Sequence, residues 1–434
     1  MTNIDMKKNS ISRMMMALMV GAVCMSATAT DLTDRLAKLS GVDRVKALSS
    51  TDGLEKIVCF VDQQLDWNDA TEGTFGQRVI IKHRGFDCPT VMVTEGYGAA
   101  YALNPAYQEE LSTLLEANLV FVEHRYFLES TPQPCDWSHL TVENSAGDYH
   151  HIRHLLREVY PGKWFTTGIS KGGQTTMFYR TFYPNDVDGS VSYVAPLNKS
   201  LEDGRHEPFI NKAGTAEERA RIKEFQLEVL KRRGAIEPMF ADYCARKGYT
   251  FRVPISEIYD LAVLEYSFAF WQWGDEVSQI PAPAASDSAY YEHLIDKCEP
   301  SYFSQQTPYT SFNVQAMREI GYYGYETEPF EEYLSVPHAE GYMRRVMIPD
   351  SLTYIEFDTN LYERVNAFLE EEDCPMMFIY GEYDPWSATG VTWLEGKKKM
   401  HVFVEPGGSH KARIGTMPED TQKKIMKILR RWAK

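Results

Sequence analysis

The segment Gly168-Ile169-Ser170-Lys171-Gly172 sets a serine between two glycines at the spacing of a nucleophile elbow. Before it, Trp164 to Ile169 is short and apolar. After it, Gly172 to Tyr183 reads as a helix ended by Pro184-Asn185. A turn this tight tolerates only glycine on either side of the serine, so the Ser170 hydroxyl is held exposed at a sheet edge, where it can attack a carbonyl. The motif alone is common, and an ordinary glycine-rich turn ahead of a helix is the plain alternative.

Two further residues raise the case for chemistry. Asp384 directly follows the apolar strand pattern Pro375 to Gly381, and His410 sits on the glycine-rich loop Glu405-Pro406-Gly407-Gly408-Ser409 after a strand pattern at Lys399 to Val404. Serine, acid and histidine in that order, each just past a strand, is the α/β-hydrolase arrangement. His410 would take the Ser170 proton, Asp384 would fix the imidazole tautomer, and an acyl-enzyme would form and be hydrolysed. The backbone N–H of Lys171 and one from Gly96 to Gly98, at Tyr97 or Gly98, would stabilise the oxyanion. His401, within or at the start of a strand, and Asp373, ahead of one, are weaker candidates. This chemistry calls for no metal or organic cofactor.

The elements that must position these residues follow from periodicity. Gln77 to His83, Pro89 to Glu95 and Leu119 to Val122 read as β-branched or apolar strands, and Tyr149, Ile152, Leu155, Leu156 and Val159 repeat at helical spacing. Alternating strand and helix imply a mostly parallel sheet. From about residue 199 to 349 the chain turns helical, polar and aromatic, which reads as an inserted cap. The expected organisation is a leader at 1–29, core at 30–198, helical cap at 199–349 and core again at 350–434.

Composition bounds the rest. Hydrophobic residues make up 44% and aromatics 13% of 434 residues, enough for a large packed core. The first 29 residues carry Lys7, Lys8 and Arg13, an apolar run from Met14 to Met25 and Ala27-Thr28-Ala29, the pattern of a secretory signal peptide. Cleavage near Ala29 is expected rather than lipidation at Cys24, because Val23 occupies a position that wants a small residue. The chain is then exported, periplasmic or extracellular. A net charge of −16 disfavours nucleic acid or an anionic membrane as partner, and no stretch is long enough to span a bilayer. Six cysteines remain beyond the leader, Cys59, Cys88, Cys135, Cys244, Cys298 and Cys374, and export makes at least partial disulfide formation the expectation. They have no C-x-x-C spacing, so a structural zinc site is not expected. His150, His151 and His154 share a helix, but the adjacent pair faces different ways and no cysteine is near, so packing or surface roles are expected for them.

Several stretches together carry a family resemblance: Gln77-Arg78-Val79, Thr94-Glu95-Gly96-Tyr97-Gly98, Glu123-His124-Arg125-Tyr126-Phe127, Gly168-Ile169-Ser170-Lys171-Gly172-Gly173, Phe182-Tyr183-Pro184-Asn185-Asp186-Val187-Asp188-Gly189 and Gly381-Glu382-Tyr383-Asp384-Pro385-Trp386. The chain resembles serine-peptidase family thirty-seven, secreted bacterial tripeptidyl aminopeptidases often favouring proline. The resemblance spans most of the chain beyond the leader, is weaker through the cap, and implies the same triad. It implies peptide substrates with a free amino terminus. Holding that ammonium takes a carboxylate, for which Glu95, Glu123 and Glu265 are candidates, and Trp271, Trp273 or Trp386 could pack on a proline ring. Ester hydrolysis on the same triad and a non-catalytic peptide-binding module are the alternatives.

Overall fold

The central strands are buried along nearly their whole length, as strands covered by helices on both faces must be. The computed structural model describes residues 30–434. Its strands are β1 (Val42–Leu48), β2 (Glu55–Gln64), β3 (Thr74–His83), β4 (Thr90–Thr94), β5 (Asn118–Val122), β6 (Trp164–Ile169), β7 (Gly189–Tyr193), β8 (Met376–Gly381) and β9 (Met400–Glu405). They form one sheet in the order β1-β2-β3-β5-β4-β6-β7-β8-β9. β1, β2, β3 and β5 pair antiparallel. From β5 across to β9 every pairing is parallel. The leader pattern and Cys24 lie outside the described residues. Among those described, no helix is long and apolar enough to cross a membrane.

β1 and the full length of β2 are the strands the sequence reading left unassigned. β1 is mostly exposed, so it lacks the apolar run that marks a central strand. Between β4 and β5 runs a short helix at Glu110–Leu114.

The longer helices are α1 (Val142–Leu156), α2 (Lys171–Phe182), α3 (Ala216–Lys231), α4 (Arg233–Lys247), α5 (Ile255–Trp273), α6 (Asp287–Lys297), α7 (Asn360–Glu371) and α8 (Glu419–Trp432). α1 packs Tyr149, Ile152 and Leu156 against one sheet face with Tyr179 of α2. α8 packs Ile425 and Leu429 against Val191, Met377 and Ile379 on another part of the sheet.

All of α3 to α6 lies between β7 and β8. This helical segment has no core of its own: one apolar cluster runs from Phe225, Tyr259 and Phe268 to Met177, Phe178, Phe378 and Tyr380 of the sheet layer. α5 is its centre, buried on nearly every side, which is why its sequence is apolar all round rather than in a stripe.

The cysteines correct an expectation. All six described cysteines are free thiols. They sit on separate elements: Cys59 in β2, Cys244 in α4, Cys374 just before β8. Burial pushes the Cys59 and Cys244 thiols up to about 12, so these side chains behave as small apolar groups in the core.

Candidate active site

Ser170 occupies a backbone conformation that L-residues rarely adopt, φ 58° and ψ −122°. The surrounding structure forces it. A Cβ on Gly168 would lie 2.1 Å from the Gly172 oxygen, and one on Gly173 2.7 Å from the Tyr193 oxygen, so the chain can close this turn only with glycines there. The Ser170 N–H donates to the Tyr193 carbonyl of β7 at 2.9 Å. Strain of this kind persists only where neighbours over-determine it. Ser170 is partly exposed and Ile169 beside it is exposed, so the serine stands at the rim of the sheet.

Asp384 and His410 leave that same rim, from the ends of β8 and β9. Their two loops pin each other: Tyr383 N–H donates to the Gly408 carbonyl at 2.8 Å, and a Cβ on Gly381 would meet the Ser409 carbonyl at 2.3 Å. Asp384 is fully buried. Its Oδ2 accepts from His410 Nδ1 at 2.8 Å and its Oδ1 accepts from the Trp386 N–H at 3.2 Å. That pairing puts the proton on Nδ1 and leaves Nε2 as the acceptor. The end of α5 also holds the histidine loop, since His410 N–H donates to the Gln272 carbonyl at 3.0 Å and Lys411 Nζ to the Trp273 carbonyl at 2.8 Å. The weaker candidates are engaged elsewhere. Asp373 accepts from the Lys398 and Lys399 N–H groups, and His401 lies within β9 near Trp432.

The oxyanion candidates divide. Lys171 is the first residue of α2, so its N–H has no acceptor one turn back within the helix. Gly96 rests on the elbow, where a Cβ would meet the Lys171 backbone at 2.7 Å. The Tyr97 N–H, however, donates to Glu95 Oε1 at 3.2 Å, so Tyr97 is a committed donor here and Gly98 remains the candidate on that loop. The Lys171 side chain is itself part of the arrangement. Its Nζ donates to the Gly96 carbonyl at 2.7 Å and lies 5.8 and 5.5 Å from the Tyr97 and Phe127 ring centres. Burial pulls its ammonium down to about 7, against the pull of Glu95 and Glu319.

The three candidate carboxylates differ sharply. Glu123 is fully buried and ion-paired with Arg78, and it accepts from the Ala99 N–H at 2.8 Å and the Ser130 hydroxyl at 2.9 Å. No acceptor site is left for a ligand, so Glu123 is a structural ion-pair member and not a substrate contact. Glu95 is buried, accepts from the Tyr101 hydroxyl at 2.7 Å and the Tyr97 N–H, and already has the charge of the Lys171 ammonium acting on it. Glu265, on α5, accepts from the hydroxyls of Tyr323 at 2.9 Å and Tyr325 at 2.7 Å, and among the described residues it has no cationic partner. Burial pushes it up to about 7, with the nearby Glu207 carboxylate adding to the rise and the two tyrosines opposing it.

The tryptophans separate in the same way. Trp271 is buried against Tyr383 and Phe270 and is core. Trp273 is 48% exposed and stands edge-on to His410, ring centres 6.1 Å apart. Trp386, beside Asp384, packs on Tyr322 and Tyr323 at 5.2 and 5.1 Å. A run of aromatic contacts therefore leads from the triad loop to Glu265. Sequence reasoning missed the tyrosine hydroxyls on Glu265, the Lys171 side chain and the α5 carbonyl at His410. The segment Tyr322-Tyr323-Gly324-Tyr325 was the only local signal, because such contacts join residues far apart in the chain.

A mostly parallel sheet carrying a strained serine between β6 and a helix, with a buried aspartate–histidine pair after the next parallel strands, defines an α/β-hydrolase. The family profile described as PS-10 peptidase S37 matches residues 25–434, and the chain belongs to that family. It is 30% identical over 95% of its length, and 87% of the relative's, to a prolyl tri/tetrapeptidyl aminopeptidase of Streptomyces mobaraensis. It is 27% identical to a human lysosomal Pro-X carboxypeptidase, covering 81% of this chain and 82% of that one. Among solved structures, a proline iminopeptidase of Mycobacterium smegmatis overlaps 90% of this chain and 98% of its own at 14% identity and TM-score 0.42. The protein is a serine peptidase.

Proposed function

We propose that this peptidase is an exported exopeptidase that releases short peptides, of three or four residues and ending in proline, from free amino termini. Ser170 is the nucleophile, His410 the general base and Asp384 its orienting acid. The acyl-enzyme forms on Ser170 as the leaving amine takes the proton from His410, and water then releases the peptide. The N–H groups of Lys171 and Gly98 receive the oxyanion.

The observation that carries the amino-terminal reading is Glu265. A partly accessible carboxylate held by tyrosine hydroxyls, with no cationic partner among the described residues, suits an ammonium group. The helical segment over the sheet rim acts as a cap that closes the far end of the cleft, so the distance from Glu265 to Ser170 counts residues. The S. mobaraensis relative's name, with its tri/tetrapeptidyl and prolyl terms, agrees with that reading. Trp273 and Trp386 supply apolar faces for a proline ring near the scissile bond.

The deciding experiment compares one proline-ending tripeptide amide with a free and with an acetylated amino terminus. At least about a hundredfold preference in kcat/KM for the free amine is expected, since a buried charged contact left unmade costs a few kcal/mol. Equal cleavage of both, or cutting within long chains, overturns the reading.

A further inference from the structure

We propose that His150, His154 and Asp186 form a binding site for a divalent transition-metal ion of the zinc type, remote from the triad. His150 and His154 are one helical turn apart on α1, ring centres 4.3 Å apart, so both project from one face. Asp186 lies in the loop between α2 and β7. His150 Nδ1 is 2.7 Å from Asp186 Oδ2 and His154 Nε2 is 3.4 Å from Oδ1, and all three ligand atoms lie within 4.8 Å of one another.

The site is held in shape by groups that are not themselves ligands. The Tyr179 hydroxyl donates to Asp186 Oδ2 at 2.6 Å, and the Tyr183 ring stacks on His150 at 4.0 Å and 15°. Outer partners of this kind orient ligands and are half of a working metal site. Among the described residues Asp186 forms no ion pair with a lysine or arginine; its oxygens meet the two imidazoles and the Tyr179 hydroxyl. The histidine side chains are 37% and 51% exposed, so an ion can reach them from solvent.

Two imidazoles and one carboxylate suit zinc, copper or nickel over calcium or magnesium. Zinc at about 2.0–2.1 Å from three protein ligands keeps a fourth position for water and sets its ligand atoms about 3.3–3.4 Å apart; His154 and Asp186 already stand at 3.4 Å, while His150 and Asp186, at 2.7 Å, would move apart to admit the ion. His151 is outside the cluster: its Nδ1 pairs with Gln63 at 2.8 Å. The packing role expected of the histidines is the one His151 has, while the proposal gives His150 and His154 a further one. An ion here would tie α1 to the loop after α2. Because α2 begins at the elbow and spans about 18 Å at 1.5 Å per residue, the ion acts on stability and not on the reaction.

The test is calorimetric titration of the chelator-treated full chain with zinc chloride, paired with cobalt chloride followed by visible absorption and with thermal unfolding. One equivalent of zinc, a cobalt spectrum of tetrahedral intensity and a higher melting temperature are expected. His154→Ala, on an exposed side chain, is expected to fold normally and weaken binding by at least about tenfold, while His151→Ala keeps it. Absence of zinc binding by the wild type, or equal binding by His154→Ala, overturns the site.

Discussion

The sheet rim and the helical segment above it treat the same residue type in opposite ways. At the rim, Glu123 is buried with Arg78 and backbone and hydroxyl donors filling both oxygens. In α5, Glu265 is held by tyrosine hydroxyls alone. A buried charge with its counter-ion in place is part of the scaffold, since removing either partner strands the other. A carboxylate with donors but no counter-ion is the one still able to bind a cation. The difference teaches that accounting for partners, more than burial or proximity, separates a structural carboxylate from a receptor.

The largest effect expected is on the rim. Ser170→Ala should lower kcat by about 10⁴- to 10⁶-fold while leaving the unfolding midpoint nearly unchanged, because Gly168 and Gly173 hold the turn rather than the hydroxyl. Organophosphonate labelling, present in the wild type and absent in the variant, checks it; near-normal turnover would remove the nucleophile assignment and, with it, the rim as the reacting side of the comparison.

Glu123→Ala tests the scaffold half. It should cost about 3–5 kcal/mol in denaturant unfolding, because the buried Arg78 guanidinium is left with the exposed Glu129, 3.0 Å away, as its one carboxylate partner among the described residues. A neutral effect on stability would mean that Glu123 is not scaffold and would erase the contrast.

Glu265→Gln tests the other half and should do the reverse. It is expected to raise KM for a free-amine peptide by about tenfold or more with little change for an acetylated one. Stability has a definite sign here. Burial raises the folded carboxyl from 4.5 to about 7, so the folded state binds the proton more tightly than the unfolded chain. Wild-type stability therefore falls as pH rises through the window from 4.5 to about 7. Glu265→Gln removes that fall and should equal or exceed the wild type above pH 7. Kinetically the wild type should gain affinity for the free amine as pH rises through about 7, where Glu265 ionises. A KM flat across that range in both proteins sinks the receptor role.

The smallest effect expected is at Trp273→Ala, a few-fold loss in kcat/KM confined to proline-containing substrates, since one exposed aromatic contact is worth about 0.5–1.5 kcal/mol. An equal loss for all substrates would shift Trp273 from substrate packing to support of the His410 loop.

The sequence by itself determined the parallel core and the order Ser170, Asp384, His410, because both are local: short apolar strands, each ending in a loop whose residue types limit its shape. The glycines around Ser170 are legible for the same reason, since a turn this tight excludes side chains whatever the rest of the chain does. β1 was not legible, being an exposed edge strand without a pattern of its own. Neither was the fate of the candidate carboxylates and tryptophans. Composition could place Glu95, Glu123 and Glu265 only in one group, and folding alone decided which met Arg78 and which met Tyr323 and Tyr325. The cluster of His150, His154 and Asp186 required the fold as well, because the aspartate comes from beyond α2. Partner choice across long sequence separations depends on how the helices pack on the sheet, and that information is carried by the tertiary structure and not by any single stretch of chain.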